Sequence, residues 1–525
     1  MSKKSIMLVV LLILLMILAG GCAQDTAVGE EDDILIVAHT AEVTTWDPSS
    51  SFSTEVTYMA NLYETLLIAN PEGSEKPFTP VLAEDWEISD DGLEWTFHLR
   101  DGVLFHDGEK MDAAAVKKSL ERTISMGEGA SFIWSPVESI EVAGELELKF
   151  VLTEPAPLDR IVSSSNGAWI MSPSAADQET DWFEAGNAAG TGPYMLQSYK
   201  PGEELTLVKF DDYWRGWEGK HCSTVVVKIV SEAIVQRQLL EAGDVHIASV
   251  VPVEAISTLE SNPEMVVYRG PSFYNYLGFL NTAKPPLDNK LVRQAISYAI
   301  NYQGIMDIAT GGYANQSQGP VPQGLWPWDQ DLPQYSFDLD KAKALLVEAG
   351  YEDGTLGGIK MVLTYASENP AHTRYAPLIK ETLAEIGINL EVQPILWTQQ
   401  WAMAKESAPE EAQDIFLLLW WPTYADGYDN LSSLFTSAMS GYWNLSYWEN
   451  ATYDHLITEA YSLCAVDVDA SRNKYFEAQK LLIDDAVALF FYDPQEIVPM
   501  SVKVKGEALN PCYPRVIFFY NLYLE

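Results

Sequence analysis

Apolar positions change their spacing from segment to segment along this chain, and each spacing predicts an element. At the start, Lys3 and Lys4 precede an apolar run from Ile6 to Ala19, which leads into Gly20-Gly21-Cys22. A positive start, a short apolar core and small residues before a cleavage point make up a secretory signal peptide. The run is too short to span a ~30 Å hydrocarbon core comfortably. Ala23 to Asp33 is polar and acidic, which predicts a flexible tether. Ile34-Leu35-Ile36-Val37-Ala38 then has the continuous apolar character of a buried strand. Trp86 to Arg100 predicts a hairpin, with a turn at Asp90-Asp91-Gly92 and alternating Trp95, Phe97 and Leu99. Asp112 caps a helix starting near Ala113, and Gly190-Thr191-Gly192-Pro193-Tyr194 turns into a strand.

The second half repeats a simpler unit. Tyr276 to Leu280 predicts a strand, followed by Pro285-Pro286 and a helix from Asn289 to about Tyr302. Asp338 caps a helix whose Ala342, Leu345, Leu346 and Ala349 share one face, and Gly350 stops it. Strands over Met361–Tyr365 and Asn389–Val392 flank a helix from Arg374 to Ile386 that ends at Gly387. Ile415 to Leu419 is a further strand. Recurring β-α-β units predict an α/β lobe.

Composition narrows the function. A length of 525 residues is too great for one hydrophobic core, so two or three lobes are expected. Hydrophobic residues at 47% and charged residues at 20% indicate a globular chain. The 75 acids outnumber 32 bases, giving a net charge of −43. That excludes nucleic acid as a partner and adhesion to an anionic membrane through the protein surface. Diffuse acidity of this kind is a solubility property of an exported surface. Beyond Cys22, the cysteines are Cys222, Cys464 and Cys512, with no CxxC spacing, so at most one disulfide and no zinc or redox site is expected. The motifs GxSxG, HExxH and GxxxxGK[ST] are absent. His98 and His106 fall on a hairpin and its following loop, and Asp467-Val468-Asp469 lacks the Gly and Glu of a calcium loop. An enzyme is therefore not expected, and no cofactor is called for.

Several blocks together resemble one family. They are Pro80-Val81-Leu82-Ala83-Glu84-Asp85-Trp86, Gly92 to Val103, His106-Asp107-Gly108-Glu109, Gly190 to Tyr194, Tyr213-Trp214-Arg215-Gly216, Leu291 to Ile296 and Ala342 to Leu346. In this order they resemble the extracytoplasmic solute-binding proteins of ABC transporters, peptide/nickel class (family 5). Leu18-Ala19-Gly20-Gly21-Cys22 is similar to a bacterial lipobox, with Cys22 as the lipid acceptor, although Ala19 stands where Leu is usual.

The resemblance implies a two-lobed α/β fold of the periplasmic-binding-protein type (type II, cluster C), with an extra subdomain in the first lobe. Residues 1–22 would be the lipoprotein signal peptide and 23–33 the tether. Lobe I would be 33–272 plus 492–525, with the insertion near 76–190, and lobe II would be 273–491. The crossings near Arg269–Phe273 and Phe490–Pro494 would act as hinges. Implied partners are a small solute, an ABC permease and ATPase complex, and the cell membrane through the N-terminal lipid. Solute would be captured by hinge closure outside the cytoplasm.

The solute is read from departures. In the family's dipeptide binders an Arg holds the peptide carboxylate and an Asp holds the amine. Here those positions are Ala366 and Tyr424, with Asp426 two residues on as a replacement acid. No His lies between His372 and His455, which disfavours nickel. The loop offers Trp420, Trp421, Tyr424 and Tyr428 among Asp426, Asp429 and Asn430. Such surfaces suit peptides and also sugars. A peptide is favoured, with an oligosaccharide or a metal chelate as alternatives. The expected ligand-binding residues are Trp46, Trp420, Trp421, Tyr424 and Asp426. Alternation along the strand turns Trp421 to the cleft and Trp420 to the core. Trp397 and Trp401, four apart on a helix, are expected in the core.

Overall fold

The computed structural model describes residues 33–525. The predicted signal peptide with Cys22, and most of the predicted tether, lie outside the described residues. Among the described residues, no helix is long and apolar enough to cross a membrane.

A twelve-stranded sheet runs through both lobes. At its centre lies the long strand Ala488–Ser501. On one side of it come Ile247–Ala248, Ile34–His39, Thr224–Ile229, Glu204–Lys209 and Tyr194–Lys200. On the other come Asn275–Leu280, Ile415–Trp420, Ile359–Ala366 and Ile388–Ile395. The strand Ile34–His39 pairs in parallel with both neighbours. Parallel strands are covered on both faces, which is why Leu35, Val37 and Ala38 are all apolar and fully buried.

The central strand joins the lobes. Residues 488–492 pair with the strand Asn275–Leu280, and residues 495–501 pair with Met265–Pro271. Between the two pairings, Ser272 Oγ donates to Pro494 O (2.6 Å) and Asn275 Nδ2 donates to Asp493 Oδ1 (2.8 Å). Phe273 has a φ of 55°, the left-handed region that a bulky side chain rarely enters.

Two helices differ from the sequence expectation, both because of an Asn cap. The stretch from Asn289 forms two helices, Lys290–Tyr298 and Tyr302–Thr310. Asn301 accepts from Gly304 N at 2.9 Å and starts the second. Ala299 and Ile300 are buried across the break, so the apolar rhythm hides it. The helix expected from Arg374 begins at Pro370, because Asn369 accepts from Ala371 N and His372 N. Asp112 and Asp338 cap their helices as the sequence indicates.

A separate four-stranded antiparallel sheet, with Ala83–Ile88, Glu94–Leu99, Glu147–Leu152 and Val137–Gly144 in that order, packs with the helix Ala113–Met126. Trp95, Phe97 and Leu99 point into its core. The C-terminus then closes the first lobe. Asn61 Nδ2 donates to Ile517 O and Asn61 Oδ1 accepts from Phe519 N, both at 2.9 Å. Cys222, Cys464 and Cys512 are all free thiols.

Candidate solute-binding cleft

Strands Ile359–Ala366 and Ile415–Trp420 run parallel, so their carboxyl ends finish at the same edge of the sheet. In open α/β sheets that edge is where ligands bind. Here it opens into a cavity of about 820 Å³. Ala366, Trp397, Trp420, Trp421, Tyr442 and Trp443 form the wall on that side, and Phe52 and Phe132 face them from the first lobe. Phe52, Phe132, Trp421 and Tyr442 are each about half exposed (47, 54, 49 and 49%). Large apolar side chains left open to water and gathered on one concavity mark a binding surface.

The polar groups of the wall are few. His372 is buried, and its ring stands edge-on to Tyr276 and Tyr375. Neither ring nitrogen has a partner among the described residues. Burial pulls its pKa down to about 3, so the imidazole is neutral at physiological pH. Asp429 accepts from Ser433 Oγ (2.6 Å) and Thr423 Oγ1 (3.2 Å), and burial raises its pKa. No lysine or arginine lines this cavity. A smaller cavity of about 250 Å³ adjoins it at Leu419, next to the crossing between the lobes, and Tyr274, Glu496 and Arg515 line it.

The lobes touch beside the larger cavity. Arg160 Nη1 donates to Ala425 O (3.1 Å), and Ser164 Oγ and Asn166 Nδ2 donate to Thr423 O (2.9 and 3.0 Å). Arg160 Nε lies 3.1 Å from Asp426 Oδ2, close enough for an ion pair but not aimed as a hydrogen bond. Burial raises the Asp426 pKa to about 6 in spite of this cation.

The family model for bacterial extracellular solute-binding proteins, family 5, matches residues 77–442. The chain belongs to that family. It is 30% identical to the probable D,D-dipeptide-binding periplasmic protein of Escherichia coli over 495 residues, covering 92% of this chain and 93% of the relative. It is 27% identical to the dipeptide-binding protein of the same organism, over 82% of this chain and 84% of the relative. A periplasmic binding protein of Helicobacter pylori, solved with the peptide STSA, superposes with a TM-score of 0.75 at 26% identity, covering 94% of this chain and 98% of that one. As a family 5 protein, the chain has the two-lobed α/β fold and is the extracytoplasmic solute-binding component of an ABC importer.

The cavity wall holds only some of the residues expected from the sequence. Trp421 and Trp420 both stand on the cavity wall. Strand alternation would have separated them, but the strand ends at Trp420, so alternation stops there. Trp397, expected in the core, is half-buried on the wall and packs on Trp401, which packs on Trp443. Trp46 is 1% exposed, edge-on to Tyr199, and does not reach the cavity. Its neighbour Asp47 is gripped by Arg122 through two 2.7 Å hydrogen bonds, which draws that loop inward. Tyr424 is buried off the cavity wall. Asp426 is engaged by Arg160 and accepts from Tyr428 N (2.7 Å), so it is not open to a solute amine. Ala366 lines the cavity. No spacing along the chain marks His372, since Tyr276 and Tyr365 meet it from two strands outside its own helix.

Proposed function

We propose that this chain captures a short peptide with bulky apolar side chains and delivers it to an ABC permease and ATPase complex. The gathering of half-exposed Phe52, Phe132, Trp421 and Tyr442 around one cavity carries this reading. The peptide ligands named for its relatives support it. An oligosaccharide fits less well, because its many hydroxyls would be buried against Leu417, Leu418 and Met439 with few hydrogen-bond partners. An anionic metal chelate would meet no cation on this wall. In this reading residues 33–272 plus 492–525 form lobe I and 273–491 form lobe II. They swing about Arg269–Phe273 and Phe490–Pro494, and Cys22 carries the lipid that holds the protein at the membrane.

Thermal unfolding of the chain from Ala23 onward tests the solute class, using pools of dipeptides to pentapeptides, oligosaccharides and iron–chelator complexes. A solute at a hundredfold excess over its Kd adds about 2.7 kcal/mol of stability. A shift with the peptide pool alone is expected. A shift with another pool, and none with peptides, would overturn the reading.

A further inference from the structure

Arg515 is a cation whose side chain has neither a hydrogen bond nor an ion pair with any described residue. It lies on the C-terminal return of the chain, at a φ of 64°. Residues other than glycine rarely adopt this left-handed conformation, and those that do concentrate at functional sites. Thr57 Oγ1 donates to the Arg515 carbonyl at 2.6 Å and helps hold the backbone there. The side chain is exposed and lines the smaller cavity. Its guanidinium carbon is 5.3 Å from the centre of the Tyr274 ring. It makes no side-chain hydrogen bond and no ion pair with any described residue. Its five N–H donors therefore have no hydrogen-bond acceptor among the described residues, at the wall of a cavity between the lobes.

The neighbourhood suits an anion from outside. Glu496 lines the same cavity and feels the charge of Arg515, but the two form no ion pair. His39, also on the wall, is neutral at physiological pH because burial pulls its pKa to about 4. The partition between the two cavities is thin. Leu419 lines both, Tyr274 meets Trp421 edge-on at 6.0 Å, and Tyr276 meets His372 at 5.5 Å. A solute whose apolar part fills the aromatic cavity and whose end passes this partition would meet Arg515. A guanidinium binds a carboxylate through two parallel N–H···O bonds. The larger cavity has no cation of its own.

We propose that Arg515 is the carboxylate anchor of this binding site, so that the solute is an apolar molecule ending in a free carboxylate. The peptide reading above supplies the rest of the solute, but the anchor itself requires only the carboxylate.

Titration calorimetry of the chain from Ala23 with leucyl-phenylalanine, 4-phenylbutyrate and the amide of each separates the two ideas. The acids are expected to bind about 10- to 100-fold more tightly than the amides, the range for hydrogen bonds to charged groups. Arg515→Gln should remove that preference, leaving amide affinity unchanged. Glu496→Gln should tighten the acids alone, because it removes a competing carboxylate. Should Arg515→Gln fail to fold, the wild-type acid–amide pairs and Glu496→Gln still decide. Equal binding of acid and amide, or absence of binding by every acid, would overturn the anchor. A preference for phenylbutyrate over its amide, without dipeptide binding, would keep the anchor and end the peptide reading. Dipeptide binding without preference would do the reverse.

Discussion

Arg160→Met should weaken closure of the two lobes over their solute. The arginine donates to Ala425 O, stands 3.1 Å from Asp426 and covers the Trp326 ring at 4.4 Å. Methionine keeps the apolar packing but removes the charge. Asp426, 1% exposed, is then a buried carboxylate with no cation beside it. Breaking such a pair costs about 3–5 kcal/mol while the other charge stays buried. Parting of the lobes would let water reach Asp426, so the loss falls on the closed form. Taking the lower figure, solute affinity should drop about 100-fold at pH 7.5, at 1.4 kcal/mol per tenfold. The loss should shrink at pH 5.5. Burial has raised the Asp426 pKa from 3.8 to about 6, and a protonated carboxyl needs no cation. The sign follows directly: between about pH 4 and pH 6 the closed form holds a proton that an exposed Asp426 would release, so acid favours closure. Titration calorimetry at both pH values, with small-angle scattering to follow compaction, reads both effects. The double variant Arg160→Met with Asp426→Asn should recover most of the loss. Wild-type affinity in Arg160→Met at pH 7.5, or equal losses at the two pH values, would refute the reasoning.

Asp493, beside the crossing between the lobes, accepts from Asn275, Ser317 and Gln323 with no cation, and burial raises its pKa to about 6. A raised carboxyl pKa stabilises the fold below the ordinary value and loses that contribution as pH rises. Urea unfolding should therefore show wild-type stability relative to Asp493→Asn falling by up to about 3 kcal/mol from pH 4 to pH 7; a flat difference would contradict it. Trp421→Ala should weaken solute binding at least about 10-fold, in proportion to the apolar contact removed, with little change in melting temperature. Trp46→Ala should instead lower stability by about 3–5 kcal/mol, measured by urea unfolding, because it empties a core site. Gly190→Ala should destabilise by about 3 kcal/mol or more, since its Cβ would run into the Leu62 carbonyl backbone; a wild-type melting curve would disprove that close packing.

Elements were legible where a local pattern determines them. The buried strand from Ile34, the hairpin at Trp95 to Leu99 and the caps at Asp112 and Asp338 each depend on residues a few places apart. Asn301 and Asn369 were harder to read, since an asparagine within a continuing apolar rhythm looks like any polar position until its hydrogen bonds are seen. The cleft divides in the same way. Trp420 and Trp421 stand out because they end an apolar strand. Trp46 stands out equally, yet a salt bridge from Arg122, 75 residues away, turns its loop into the core. Asp426 has a partner in Arg160 that is 265 residues distant from its neighbour Ala425. His372 and Arg515 owe their settings to elements brought together only by the sheet, so no spacing along the chain announces them.

Asn61 holds Ile517 and Phe519 across more than four hundred residues, which has a consequence for how this protein is made. The first lobe cannot complete its core until the last residues of the chain arrive. A nascent chain therefore remains without a finished lobe through nearly all of its synthesis.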